Sequence, residues 1–131
     1  MIIDSSALIA VIFGEPEADA FLDAMMADAA RISAATYFEA GMVIDRKSLD
    51  DFPAQAFDRL LELARVEIVP VTRDHAVLAR SAYRTFGKGH HPARLNFGDC
   101  FAYALAQEAG ESLLFKGSDF ARTDVQPAIR P

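Results

Sequence analysis

The chain is poor in the residues that build the common redox and cofactor motifs. Its 131 residues include one cysteine, three histidines and no tryptophan. A lone Cys100 excludes an internal disulfide and a CxxC pair, and suits a reducing cytoplasm. No HExxH is present, which excludes the helix-borne zinc protease motif, and no glycine-rich loop opens a helix to cradle phosphates. Ser5 and Ser6 lack the flanking glycines of a nucleophile elbow. No apolar run approaches a membrane span. Asp4 and Glu15 interrupt the stretch that a signal peptide would keep apolar. The expectation is a soluble, cytoplasmic protein without a membrane partner.

Positive charge is scarce too. Thirteen Lys and Arg stand against 19 Asp and Glu, a net charge of −6 with a pI near 4.9. That balance alone argues against a nucleic-acid partner, but the distribution is uneven. From Arg73 to Arg94 the chain carries Arg73, Arg80, Arg84, Lys88 and Arg94 against the single acid Asp74, with His75, His90 and His91 nearby. The first forty residues are acidic, with Asp4, Glu15, Glu17, Asp19, Asp23, Asp28 and Glu39 against Arg31. An enzyme acting on RNA can combine an acidic metal site with a separate basic strip for the backbone. A helix with an Arg-rich solvated face has the same spacing.

What is present reads as one domain over 1–131. Hydrophobic residues make up 52%, enough for a core of that size. Ile2-Ile3-Asp4 reads as a buried strand, and Ser5 and Ser6 can cap a helix from Ala7 to about Phe13. Pro16 opens a second helix to about Asp28, with Phe21, Leu22 and Met25 inward. Arg31-Ile32-Ser33 reads as a strand. Ala35 to about Ser48 reads as a helix carrying Phe38, Met42 and Ile44. Pro53 starts a helix with Phe57, Leu60, Leu61 and Ala64 at helical spacing. Val66 to Val71 reads as a strand, Thr72 caps a helix from Arg73 to about Phe86, and Gly87 through Leu95 is irregular. Asn96 begins a helix that Gly110 ends. Ser112 to Phe115 is a further strand, and the tail from Asp124 to Pro131 adds a short edge segment. Strands separated by helices predict an α/β fold with a mainly parallel sheet between helical layers. In such sheets the reactive site lies beyond the carboxyl ends of the strands.

Four acids fall at or near such places. Asp4 closes the first strand, Glu39 interrupts an apolar helix face, Asp99 stands in the first turn of a helix, and Asp119 follows the last strand. Each has an ordinary explanation: Asp4 as a helix cap, Glu39 paired with Arg46, Asp99 complementing a helix dipole, Asp119 in an Asx turn. Asp124 is a rival for the last role but follows no strand. Together the four suggest more. Two carboxylates about 4 Å apart repel by roughly 4 kcal/mol at an effective dielectric near 20. A marginally stable fold keeps such a group with a counterion or shared protons. Oxygen ligands favour Mg²⁺, with Mn²⁺ as substitute, and the chemistry suggested is phosphodiester hydrolysis by a metal-activated water.

The same residues carry a family resemblance. Met1-Ile-Ile-Asp4-Ser-Ser6-Ala-Leu, Tyr37-Phe-Glu39-Ala, Leu95-Asn-Phe-Gly-Asp99-Cys-Phe-Ala-Tyr-Ala and Leu114-Phe-Lys-Gly-Ser-Asp119-Phe resemble the PIN domain across essentially the whole chain. Within it they are most similar to the VapC ribonuclease toxins of type II toxin–antitoxin systems. The resemblance implies a parallel sheet sandwiched by helices and Mg²⁺-dependent endonucleolytic cleavage of RNA. It makes Asp4 and Asp99 the principal metal ligands, with Glu39 and Asp119 completing the catalytic pocket and Ser6 supporting it. It also implies a VapB-like antitoxin partner and a homodimer. One departure is small: the Gly-Asn-Asp-Phe common in the family is here Gly117-Ser118-Asp119-Phe120. Arg80, Arg84, Lys88 and Arg94 are the candidate RNA-backbone contacts. The alternatives are a non-catalytic PIN-fold subunit acting through a protein partner and a small-molecule phosphohydrolase.

Overall fold

The computed structural model describes residues 1–47 and 50–130. Among them four short strands, β1 (Ile2–Ile3), β2 (Arg31–Ser33), β3 (Glu67–Val69) and β4 (Leu113–Leu114), form one sheet. Their order is β3-β2-β1-β4 and every pairing is parallel. Six helices connect them: α1 (Ser5–Ile12), α2 (Ala18–Ala27), α3 (Ala34–Lys47), α4 (Phe52–Leu63), α5 (Arg73–Phe86) and α6 (Phe97–Ala109). No described helix is long and apolar enough to cross a membrane.

The alternation of side chains along a strand splits the core in two. Ile3 and Leu114 point to one face, where they pack with Leu8, Met25, Ile44 and Phe57 from the first four helices. Ile2 and Leu113 point to the other, against Ala79, Ala82, Tyr103 and Leu105 of α5 and α6. Both faces of β1 and β4 are covered, as a buried parallel sheet requires. The result is the expected three-layer α/β fold. Successive strands step from β1 through β2 to β3, and β4 then returns to the opposite side of β1. The switch point of the sheet therefore lies between β1 and β4, where doubly wound sheets leave a crevice.

Several boundaries and faces differ from the expectation. The first helix starts at Ser5, and its cap is Asp4, whose side chain accepts from the Ser6 amide. A carboxylate at the strand end reaches that amide before either serine hydroxyl can. The second helix starts at Ala18, two residues after Pro16. Leu22, Phe38 and Met42 are exposed rather than inward. On α3 the buried stripe is Thr36, Ala40 and Ile44, one face at four-residue spacing that leaves Phe38 and Met42 outside it. The end of this helix at Ser48 lies outside the described residues. β3 is shorter than Val66–Val71 because it is the sheet edge, with Glu67 and Ile68 exposed. The tail contributes a single parallel bridge, Leu113 to Pro127, and Pro131 lies outside the described residues. The caps of the last two long helices are as expected: Thr72 and Asn96 close capping boxes, and Gly110 ends α6 at φ +65°.

Candidate active site

At the carboxyl end of β1, Asp4 is 2% exposed. Its Oδ2 accepts from the Ser6 amide at 3.0 Å and from the Ser6 hydroxyl at 2.6 Å. Ser6 Oγ in turn accepts from the Lys116 amide at 2.9 Å, which ties Asp4 to the segment leaving β4. The other oxygen, Asp4 Oδ1, is buried with no hydrogen-bond partner. A buried carboxylate oxygen left without a donor is costly, so this atom is where a cation would be most useful.

Glu39 comes from α3, one turn after the β2–α3 junction. Its Oε1 accepts from the Ser5 hydroxyl at 2.7 Å, so Ser5, not Arg46, is its hydrogen-bond partner. A Cβ on Gly98 would lie 1.7 Å from Glu39 Oε2. Only glycine at the start of α6 allows the Glu39 carboxylate to occupy this place. Asp99, the next residue, reaches back to the Asn96 amide at 2.9 Å, while Asn96 Oδ1 accepts from the Asp99 amide at 2.9 Å. The dipole-complementing explanation for Asp99 therefore holds, and it is not the whole account. Asp119 is exposed at the start of the 3₁₀ turn Phe120–Arg122, where its side chain makes no capping bond.

The acids act on one another electrostatically. Burial raises the Asp99 carboxyl to about 7, and the fields of Asp4, Glu39 and Asp119 push in the same direction. Burial likewise raises Asp4 to about 6, opposed by its Ser6 hydrogen bonds and reinforced by Glu39. Asp4 thus stands at the β1–β4 crevice, and Asp99 lies within the fields of Asp4, Glu39 and the exposed Asp119. Among the described residues, however, no three acidic, histidine or cysteine side chains already close on one cation point. What the crevice offers a metal is an all-oxygen donor set, an orphaned buried Oδ1 and uncompensated negative charge. These features fit a hard divalent ion such as Mg²⁺.

The remaining candidates separate clearly. Asp124 accepts from the Tyr103 hydroxyl at 2.6 Å and fastens the tail to α6, a structural role that fits its position after no strand. His91 Nδ1 accepts from the Ala93 amide, and the His90 and His91 rings pack edge-on against Tyr83 and Phe86. Both histidines thus shape the loop. Arg80, Arg84, Lys88 and Arg94 are all exposed. Arg80 and Lys88 line a cleft between α5 and α6, and Arg84 shares a neighbouring depression with Arg80. Sequence reasoning missed Ser5 as the support for Glu39 and the Lys116 amide as the support for Ser6. A serine pair after a strand-end aspartate was the available signal for the first. Nothing local marked the second, which spans 110 positions.

Comparison with known proteins agrees with this fold. The family model for the PIN domain matches residues 1–126. Ribonuclease VapC28 of Mycobacterium tuberculosis is 50% identical over 131 residues, covering 98% of each chain. Two solved structures share the fold. The sarcin–ricin loop cleaving toxin VapC20 of M. tuberculosis superposes with a TM-score of 0.78 at 17% identity, covering 99% of this chain and 98% of that one. A chain of a toxin–antitoxin complex from Klebsiella pneumoniae gives a TM-score of 0.68 at 21% identity, covering 94% and 92%. With a family model spanning nearly its whole length and a relative identical at half its positions, this chain belongs to the PIN-domain family, among the VapC proteins.

Proposed function

We propose that this protein is the toxin of a type II toxin–antitoxin system, an endoribonuclease that requires Mg²⁺, or Mn²⁺ in its place, to hydrolyse RNA phosphodiester bonds. The observation that carries the reading is the buried Asp4 oxygen without a donor, together with an Asp99 carboxyl on which Asp4, Glu39 and Asp119 all act. When bound, the ion supplies Lewis acidity at the phosphodiester and offsets the charge of the acids.

The chain's own residues do the rest. Asp4 and Asp99 are the principal holders of the ion, each oriented by hydrogen bonds on one side that leave carboxylate oxygen free on the other. Ser6 fixes the Asp4 rotamer, and Ser5 fixes Glu39. Gly98, without a side chain, leaves room beside α6 for the Glu39 carboxylate. Asp119, exposed to solvent, would complete the acidic set from the segment after β4. Such preorganisation by fixed dipoles and rotamers is what makes a charged site catalytic rather than merely acidic.

A VapB-like antitoxin is the proposed protein partner, by likeness to the Klebsiella complex, and a homodimer the proposed assembly. The cytoplasm is the proposed location. The test is cleavage of total RNA by purified protein with Mg²⁺, with EDTA, and with Asp4→Ala as control. Metal-dependent cleavage lost in Asp4→Ala is expected. Protein that neither binds Mn²⁺ nor cuts RNA under any condition would instead be a binding subunit of this fold.

A further inference from the structure

The face that α5 and α6 turn outward has a feature the acid crevice does not explain. A cleft of about 540 Å³ opens between the two helices. Its walls are aromatic, with Phe97, Phe101 and Tyr83, and its charged residues are Arg80 and Lys88, with no acid in the lining. Phe97 is 81% exposed and meets Phe101 edge-on, ring centroids 5.0 Å apart. Tyr83 donates its hydroxyl to the Lys88 carbonyl at 3.2 Å, which pins the ring at the mouth of the cleft.

This cleft and the acid crevice share one helical turn. Phe97, Cys100 and Phe101, at i, i+3 and i+4, face the cleft, while Gly98 and Asp99 face the acids. Asn96 lines the cleft and is also the capping partner of Asp99. A helix with its side chains is about 10 Å across, so the cleft and the acids are separated by the width of one helix.

Charge decides between occupants. A second copy docked by the same face would bring two basic rims together, since a two-fold contact repeats each patch against itself. A second exposed apolar face, around Phe38 and Met42, is lined with Asp45 and Asp58 and would repel phosphate. An occupant carrying both anionic groups and flat apolar rings satisfies the aromatic walls and the basic rim at once. Single-stranded RNA is such a ligand, its bases stacking on aromatic rings and its phosphates meeting Arg and Lys. Resting on the endoribonuclease reading above, we infer that the α5–α6 cleft is the subsite for nucleotides beside the scissile phosphate, with Phe97 as stacking platform and Arg80 and Lys88 as phosphate contacts.

The test is fluorescence anisotropy of a labelled single-stranded RNA dodecamer in EDTA, with light scattering on the same samples. Phe97→Ala is expected to weaken binding about tenfold, the size of one lost base stack. Phe97→Tyr should bind like the native chain and Phe97→Leu like the alanine variant, since stacking needs a ring and apolar docking does not. Arg80→Ala should flatten the dependence of log K on log[salt] by about 0.7, one phosphate contact on a single strand. The mass should be the same in all variants, and the melting temperature of each checks its fold. Unchanged affinity in Phe97→Ala and Phe97→Leu overturns the inference. So does a drop in mass on Phe97→Ala, which assigns the cleft to a second copy. The two readings fail separately. A native chain that cuts no RNA while Phe97→Ala still loses affinity sinks the nuclease and leaves the cleft as an RNA-binding surface. Native cleavage with unchanged Phe97→Ala affinity does the reverse.

Discussion

Asp99→Asn is the substitution whose consequences the structure fixes most fully. Its carboxyl is raised from an ordinary 3.8 to about 7, first by burial and then by Asp4, Glu39 and Asp119. Each pH unit between those values carries about 1.4 kcal/mol, so ionising a fully buried Asp99 would cost the metal-free fold about 4 kcal/mol. Solvent on its open side screens this to about 2 kcal/mol. The sign follows from proton counts. Below pH 3.8 both folded and unfolded states are protonated and nothing is lost. As pH rises toward 7 the unfolded chain ionises freely while the folded one resists, and above 7 the full destabilisation is present. Asparagine has no proton to lose, and its amide oxygen can still accept from the Asn96 amide, so the capping box survives. The variant should therefore melt with the native chain near pH 4. By pH 8 in EDTA it should melt higher by about 8 °C, at roughly 4 °C per kcal/mol for a chain of this size. The assay is thermal denaturation across that pH range, with RNA cleavage measured in parallel. Higher stability with no cleavage is expected. A difference in melting temperature that stays flat or falls with pH would refute the electrostatic account, and full cleavage by the variant would refute the metal site.

Gly98→Ala puts a Cβ onto the Glu39 carboxylate, and overpacking of this kind costs about 1–3 kcal/mol. Calorimetric unfolding should show that loss, and cleavage should drop at least tenfold because Glu39 must leave Ser5. Ser6→Ala removes the hydroxyl that joins Asp4 to the Lys116 amide. It should destabilise the fold by about 1–2 kcal/mol in denaturant titration, with cleavage reduced but not abolished. Mg²⁺ should raise the melting temperature of the native chain and leave that of Asp99→Asn unchanged, because only a site that binds the folded state adds stability. Asp124→Asn is the control: weakening the Tyr103 bond should cost about 1 kcal/mol while cleavage persists.

The sequence made the layers and the acids legible for physical reasons, and the failures are equally physical. β-branched or leucine pairs at Ile2-Ile3 and Leu113-Leu114 can hardly be anything but buried strands, and an acid straight after a strand falls at the sheet's carboxyl edge. Thr72, Asn96 and Gly110 announce helix ends through bonds made within three or four residues. Helix faces were harder. Phe38 and Met42 are as apolar as any core residue, yet α3 turns Thr36, Ala40 and Ile44 inward where it packs against α1 and α6. Glu39 could be seen as out of place on that helix, but its bond to Ser5 crosses 34 positions and leaves no local trace. That Gly98 makes room for the Glu39 carboxylate is visible only once α3 and α6 are side by side.

Calorimetric titration of the metal-free chain with Mn²⁺ is the most direct measurement of whether Asp4, Glu39, Asp99 and Asp119 act as one site. Saturable binding to the native chain, lost in both Asp4→Ala and Asp99→Asn, is the result expected. Binding that survives both substitutions, or no binding at all, would contradict it.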